Sequence, residues 1–287
     1  MLARIGLSGI EDLFEPVPEA VRLARPLNVP PALNELELID HLGELAGKNR
    51  AADDLICFAG GGAYDHYVPA AVRSLASRAE FATSYTPYQP ELSQGVLQAV
   101  FEFQSVVCEL YGMEVANASL YDGASALVEA VNLAVRKTKR HRVVVGAGVH
   151  PHYVEVLKTY TSGLGLVVET APIDESGVTN WADVDATDAA ALVTQYPNVF
   201  GRLESLETAS DRAHEKGALS IAVTDPTAMG ILKSPGSLGA DVAVGEGYAF
   251  GNPLSYGGPY VGLFATKMDL VRQVPGRIAG ETLDVDG

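Results

Sequence analysis

Asp225 closes the apolar run LSIAV at 219–223, so a carboxylate waits at the end of what reads as a buried strand. Further along, 242–264 reads VAVGEGYAFGNPLSYGGPYVGLF, a second apolar strand, a polar turn and a glycine-rich loop. An aspartate at one strand end followed by a strand, a turn and glycines is the layout of a pyridoxal-phosphate site. There the carboxylate pairs with the pyridinium nitrogen, and a lysine in the later turn holds the cofactor as a Schiff base. Here the turn carries Tyr248, and the lone lysine between Asp225 and Gly262 is Lys233, in the loop-like MGILKSPGS. A phenol cannot form an imine. The layout without its nucleophile predicts a partner subunit rather than a complete catalyst. A free-standing enzyme using Lys233 or Lys158 is the weaker expectation, since neither lysine stands in the required turn.

Two further stretches could touch such a cofactor. Tyr121–Ser125, YDGAS, opens a helix whose first N–H groups, with Ser125, could bind a phosphate. Asp122 would repel that anion and could cap the helix instead, so a phosphate site and a plain capped start both remain open. Val149–Tyr153, VHPHY, offers His150 as a ring to stack on a pyridine, or as a structural residue. His150 and His152 could also share a metal, but no cysteine or carboxylate cluster completes a ligand set, and no metal is expected. The run VGAGVH at 145–150 starts like a dinucleotide fingerprint, but Pro151 stands where its third glycine belongs. Tyr85 and Tyr88 flank Thr86–Pro87 just before a long helix, which suits a pocket wall, a subunit interface or simply a packed loop.

The elements that position these residues alternate in type. Residues 1–34 are rich in proline and read as an extended arm. A helix is predicted over 35–48, with Asn34 as N-cap, Glu37 at the capping-box position, and Leu38, Leu42 and Leu45 on one face. A second spans 91–111, with Leu92, Val96, Val100, Phe103, Val107 and Leu110 at spacings of three and four and Gly112 as its stop. A third spans 124–137. Apolar runs at 142–145, 165–169, 190–194, 219–223, 242–244 and 260–265 follow, with a helical segment at 204–216. Short continuous apolar runs alternating with helices predict an α/β fold with a mainly parallel sheet covered on both faces. The expected division is an N-terminal arm and helix over 1–50 and a large domain over 51–287.

The chain has 287 residues, 47% of them hydrophobic, which is enough for one sizeable core. A formal net charge of −16 argues against a nucleic-acid partner, which needs clustered Lys and Arg. Cys57 and Cys108 sit in apolar runs and are expected as buried free thiols rather than a disulfide framework. No apolar run reaches the ~18 residues of a membrane span. The start MLARIGLSGIEDLF lacks the features of a signal peptide, so a cytoplasmic location is expected.

The blocks FAGGGAYDHYVP (58–69), RAEFATSYTPYQPELSQGVLQAVFEFQ (78–104), YGMEVANASLYDGASALVEA (111–130), GVHPHYVEVLKTY (148–160), QYPNVFG (195–201) and GNPLSYGGPYVGLFA (251–265) closely resemble the glycine decarboxylase P-protein family. More narrowly, they are similar to the first subunit where that protein is split in two. The resemblance runs along the whole chain. It implies the aminotransferase-like fold of pyridoxal-phosphate enzymes (fold type I). It also implies a lysine-bearing second subunit that carries the cofactor covalently, with no covalent cofactor on this chain. The system would decarboxylate glycine and pass the aminomethyl group to the lipoyl arm of the H-protein. Tyr248 matches the position of the missing lysine, where an amide is commoner in first subunits. Asp225 matches the pyridinium partner, but PTAMG follows it where the catalytic subunit has a DGAN-like run. Ser125, His150 and Asp225 are thus candidates for a degenerate cofactor site, and Tyr85 and Tyr88 for a shared pocket wall. Family members continue past the equivalent of Gly287, so a truncated chain with an incomplete small domain is expected. A subunit that only stabilises its partner, giving nothing to the pocket, is the alternative.

Overall fold

The computed structural model describes residues 1–51, 54–56, 58, 60–82, 87 and 89–286. The chain divides into two compact units, Met1–Phe58 and Ala59–Gly287. The first unit holds short 3-10 turns at Leu2–Ile5, Glu11–Phe14 and Glu19–Val21, so the proline-rich arm is turned rather than extended. Its helix α1, Glu35–Ala46, starts at the expected capping box. The Glu37 amide donates to Asn34 Oδ1 at 3.0 Å, and the Asn34 amide donates to Glu37 Oε2 at 2.9 Å. Leu38, Leu42 and Leu45 share a face as the spacing predicts, but the helix buries none of its side chains.

The second unit opens with the short helices α2, Ala70–Ala76, and α3, Ala79–Ala82, followed by the long α4, Pro90–Tyr111. Strand β1, Val115–Ala116, leads to α5, Gly123–Thr138. Then come β2 (Arg142–Gly146), α6 (Pro151–Thr161), β3 (Val167–Ala171), β4 (Ala191–Gln195), α7 (Leu206–Glu215), β5 (Leu219–Val223), β6 (Val242–Glu246) and β7 (Gly262–Thr266). The strands form one seven-stranded sheet in the order β1-β7-β6-β5-β4-β2-β3. The pairs from β3 through β6 are parallel, which bears out the sequence expectation. The last apolar run departs from it: β7 pairs antiparallel with β6 and with β1. The link from β6 to β7 is a 3-10 turn and a glycine-rich loop, with no helix to carry the chain back for a parallel return. The two-residue β1 is too short to leave a pattern in the sequence.

Side-chain alternation explains how both faces are covered. Ile221 and Val223 of β5 and Val242 and Val244 of β6 pack with α5 on one face, while Ala222 and Ala243 pack with Val107 and Tyr111 of α4 on the other. Small residues on the α4 face let that helix approach closely. α4 ends as its glycine predicts, with Gly112 at φ 63°. Its start differs from expectation. Ser93 sits at φ −133° and ψ 31°, which breaks the first turn, so Leu92 falls off the apolar stripe and is 82% exposed. Cys108 is a half-buried free thiol whose pKa is raised by burial and then by the charge of Glu109, and Cys57 lies outside the described residues. No helix among the described residues is long and apolar enough to cross a membrane.

Leu127 of α5 is fully buried against the sheet. Leu127→Ala should lower unfolding stability by about 2–5 kcal/mol, measured by chemical denaturation, because the dense core cannot collapse into the space left.

Candidate functional site

The C-terminal ends of the parallel strands meet the start of α5 and α6 around a cavity of about 510 Å³. This edge of an open α/β sheet is where such folds place ligands. Among the sequence candidates, Asp225, His150 and Tyr248 line the cavity. Ser125 is held just behind its wall by Asp122. Tyr85 and Tyr88 lie outside the described residues. Lys233 and Lys158 are not part of the lining.

At the start of α5, two of the YDGAS amides find partners within the chain. The Ser125 amide donates to Asp122 Oδ1 at 2.7 Å, and the Ser125 hydroxyl donates to the same oxygen. The Gly123 amide donates to Glu246 Oε2 at 2.9 Å, and the Val261 amide donates to Glu246 Oε1 at 2.9 Å. Two of the first N–H groups of the helix therefore already hold carboxylates. Burial raises the Glu246 pKa, while the Gly123 and Val261 amides pull it down and the charge of Asp122 raises it again. The Tyr153 hydroxyl is packed against Gly123. Its pKa is pushed up by burial first and then by Glu246, Tyr111, Asp122 and Asp225.

Asp225 sits at the mouth of β5 as expected, but it caps the turn that follows. Its Oδ1 accepts from the Thr227 amide at 2.8 Å and the Thr227 hydroxyl at 2.7 Å. His150 caps α6. The His152 amide donates to its Nδ1 at 3.2 Å, which leaves Nε2 to carry the proton it shares with the Gly61 carbonyl at 2.8 Å. Its own amide donates to Gln195 Oε1 at 2.8 Å. The Tyr248 ring is 5% exposed and stacks on Tyr260 with centroids 4.9 Å apart. Its hydroxyl accepts from the Tyr64 amide at 2.6 Å and donates to the Tyr64 carbonyl at 3.1 Å. Tyr248 and His150 thus pin the Gly61–Tyr64 segment, part of the cavity wall, from two sides.

The glycines of VGAGVH serve packing. A side chain on Gly146 would meet Trp181 at 2.9 Å, and one on Gly148 would meet Asn198 at 2.8 Å. Pro151 is the first residue of α6, a position that suits its fixed φ. Both neighbours belong to a buried knot around Glu204, which accepts from the Thr179 amide at 2.9 Å, Trp181 Nε1 at 3.1 Å and Asn198 Nδ2 at 3.0 Å. Asn198 in turn shapes the QYPNVFG rim through the Phe200 and Arg202 amides, each at 3.0 Å. No group of three His, Cys, Asp or Glu side chains among the described residues could hold a metal. Sequence reading missed Glu246, although VAVGE ends a buried strand in a carboxylate just as LSIAVTD does. It also missed Tyr153 and Gln195, which no local pattern marks.

Pyridoxal phosphate, the cofactor of this layout, does not fit these residues. Its phosphate needs free amides or cations, yet the Gly123 and Ser125 amides hold carboxylates and no Lys or Arg lines the cavity. No lysine stands in the turn at 247–251, and Asp225 is exposed.

Tyr248→Phe removes both bonds to Tyr64. The Tyr64 amide should then exchange its hydrogen about fivefold faster, for a loss of about 1 kcal/mol. An unchanged rate would show that the contact is not made in solution.

The model of the family described as glycine cleavage system P-protein matches residues 1–287. The probable glycine dehydrogenase (decarboxylating) subunit 1 of Desulforamulus reducens is 51% identical over 100% of this chain and 65% of its own length. Its counterpart in Moorella thermoacetica is 50% identical over 100% of this chain and 64% of its length. The chain thus spans a little under two thirds of these relatives. A crystal structure of glycine decarboxylase (P-protein) of the glycine cleavage system, in inhibitor-bound form, superposes with a TM-score of 0.92 at 48% identity, covering 100% of this chain and 64% of that one. An aspartate aminotransferase from Thermus thermophilus, at TM-score 0.51 and 18% identity over 76% of this chain and 58% of its own, shares the fold alone, the aminotransferase-like fold type I. With a family match from end to end and a fold that superposes on it, the chain belongs to the glycine cleavage system P-protein family.

Proposed function

We propose that this chain is the lysine-free subunit of a two-subunit glycine decarboxylase. The observation that carries this reading is the cavity itself. It lies where a fold type I enzyme keeps its cofactor, yet it has no lysine, and Tyr248 is bonded within its own chain. The lysine-bearing second subunit would hold pyridoxal phosphate covalently, and that cofactor would supply the electron sink for glycine decarboxylation. The aminomethyl group would pass to the lipoyl arm of the H-protein. The tasks of this chain are binding and positioning: it pairs with the second subunit, and Tyr85 and Tyr88 complete the wall of the shared pocket. The relatives' description as subunit 1 supports the pairing. The self-contained bonding around Tyr248, Asp225 and His150 favours a second reading, in which the chain only stabilises its partner.

The chain co-expressed with the lysine-bearing subunit, loaded with pyridoxal phosphate and reduced with borohydride, should show a cofactor mass on the partner alone. An adduct on this chain, at Lys233 or Lys158, would overturn the reading. The double variant Tyr85→Phe, Tyr88→Phe should lower glycine decarboxylation at least about tenfold with the assembly intact by size exclusion. Full activity would leave the purely stabilising role.

A further inference from the structure

We propose that the cavity of this chain binds a small organic cation, an alkylammonium with an apolar body, in place of an anionic cofactor. The inference goes beyond the proposed assembly and does not depend on it.

Charge is the first argument. Asp122, Asp225 and Glu246 line the cavity, and no Lys or Arg does. The carboxylates act on a common region, because all three raise the pKa of the Tyr153 hydroxyl. The usual source of positive potential at this place, the start of α5, is already matched by Asp122 and Glu246. An anion entering here would meet like charge with no Lys or Arg in the lining to offset it, whereas a cation would meet complementary charge in a partly desolvated space.

The walls are the second argument. Tyr64, Tyr153, Tyr248 and Tyr260 line the same cavity, and ring faces attract cations most strongly where water is excluded. The stack of Tyr248 on Tyr260 and the bonds from the Tyr248 hydroxyl to the Tyr64 backbone hold the two stacked rings in place. Val199, Val223 and Ala228 offer apolar surface for a hydrocarbon body.

The third argument is an unmet hydrogen bond. Thr224 lines the cavity, is 3% exposed, and its hydroxyl has no partner among the described residues. Buried hydroxyls are almost always bonded, so this one calls for a donor or acceptor that the described residues do not supply. An ammonium group, with three N–H donors, suits it.

Size and geometry favour an organic ligand over a metal. The cavity, at about 510 Å³, falls in the range of small-molecule sites, roughly 300–1,000 Å³. Its carboxylates do not converge into a set that could hold a metal ion, as judged among the described residues. The same chemistry sets specificity. An amino acid would bring its own carboxylate into an acidic pocket with no Lys or Arg to receive it, so a simple amine should bind better than an amino acid.

The test is a ligand-observed NMR titration of the full chain with n-butylammonium, using n-butanol, butyrate and pyridoxal phosphate as comparisons. Butylammonium should bind at least about tenfold more tightly than the alcohol or the acid, a difference that isolates the charge. Asp225→Asn keeps a side-chain oxygen to cap the turn at Thr227, so the fold should persist, and it should weaken butylammonium binding several-fold. The assignment is overturned if butylammonium fails to bind up to about 10 mM, or binds no better than butanol. It is equally overturned if Asp225→Asn keeps full affinity, or if pyridoxal phosphate displaces the amine.

Discussion

The interaction on which the rest of this site depends is the grip of Glu246 on two backbone amides. One carboxylate, at the end of β6, receives Gly123 at the start of α5 through one oxygen and Val261 just before β7 through the other. That ties a helix start, a central strand and the return loop of the antiparallel edge into one rigid corner. It also fixes what the corner cannot do. A helix start in an α/β fold is a ready site for anions because its first N–H groups point outward unpaired. Here Glu246 and the cap Asp122 hold two of them, and the cavity behind them carries negative charge instead. A change of ligand class follows from where two carboxylates sit, with no change of fold.

The remaining walls are stiffened by bonds to backbone. Tyr248 exchanges two hydrogen bonds with Tyr64, as a neighbouring strand would, and His150 holds Gly61 through Nε2. On the opposite rim, Glu204 satisfies a buried amide, an indole and an amide side chain together. A buried carboxylate held by neutral donors, with no ion pair among the described residues, is a costly object unless every bond is made, so it specifies one arrangement of the 195–204 segment. The glycines at 146 and 148 let strand and turn come close enough to that knot. Their role in packing explains a motif that, taken alone, suggests a nucleotide.

These features fit the proposed role of a subunit that retains the fold of a catalyst and leaves the covalent chemistry to a partner. A fold type I scaffold needs its sheet, its α5 and its cavity to stay folded whether or not a cofactor is present. Once the lysine is absent, nothing keeps the strand-end residues matched to a pyridine ring, and they can be used for capping. Asp225 illustrates the change. It stands at the expected strand end but bonds to Thr227.

Much of this was legible in the sequence. The parallel strands, the capping box at Asn34 and Glu37, the stop at Gly112, and the absence of lysine from the turn all rest on local patterns, because side-chain period, caps and breakers act over a few residues. The tertiary structure decided the rest. Asp122 caps its helix locally, but that Glu246, distant in sequence, takes the Gly123 amide as well was decided by the fold. The direction of β7 depended on there being no crossover helix, and the exposure of Leu92 on one dihedral angle at Ser93. Composition fixed the strongly acidic balance of the chain. Where that charge concentrates, and hence what the cavity can receive, required three carboxylates from separate elements to meet in space. Electrostatic interactions depend on distance through space, and a sequence records only distance along the chain.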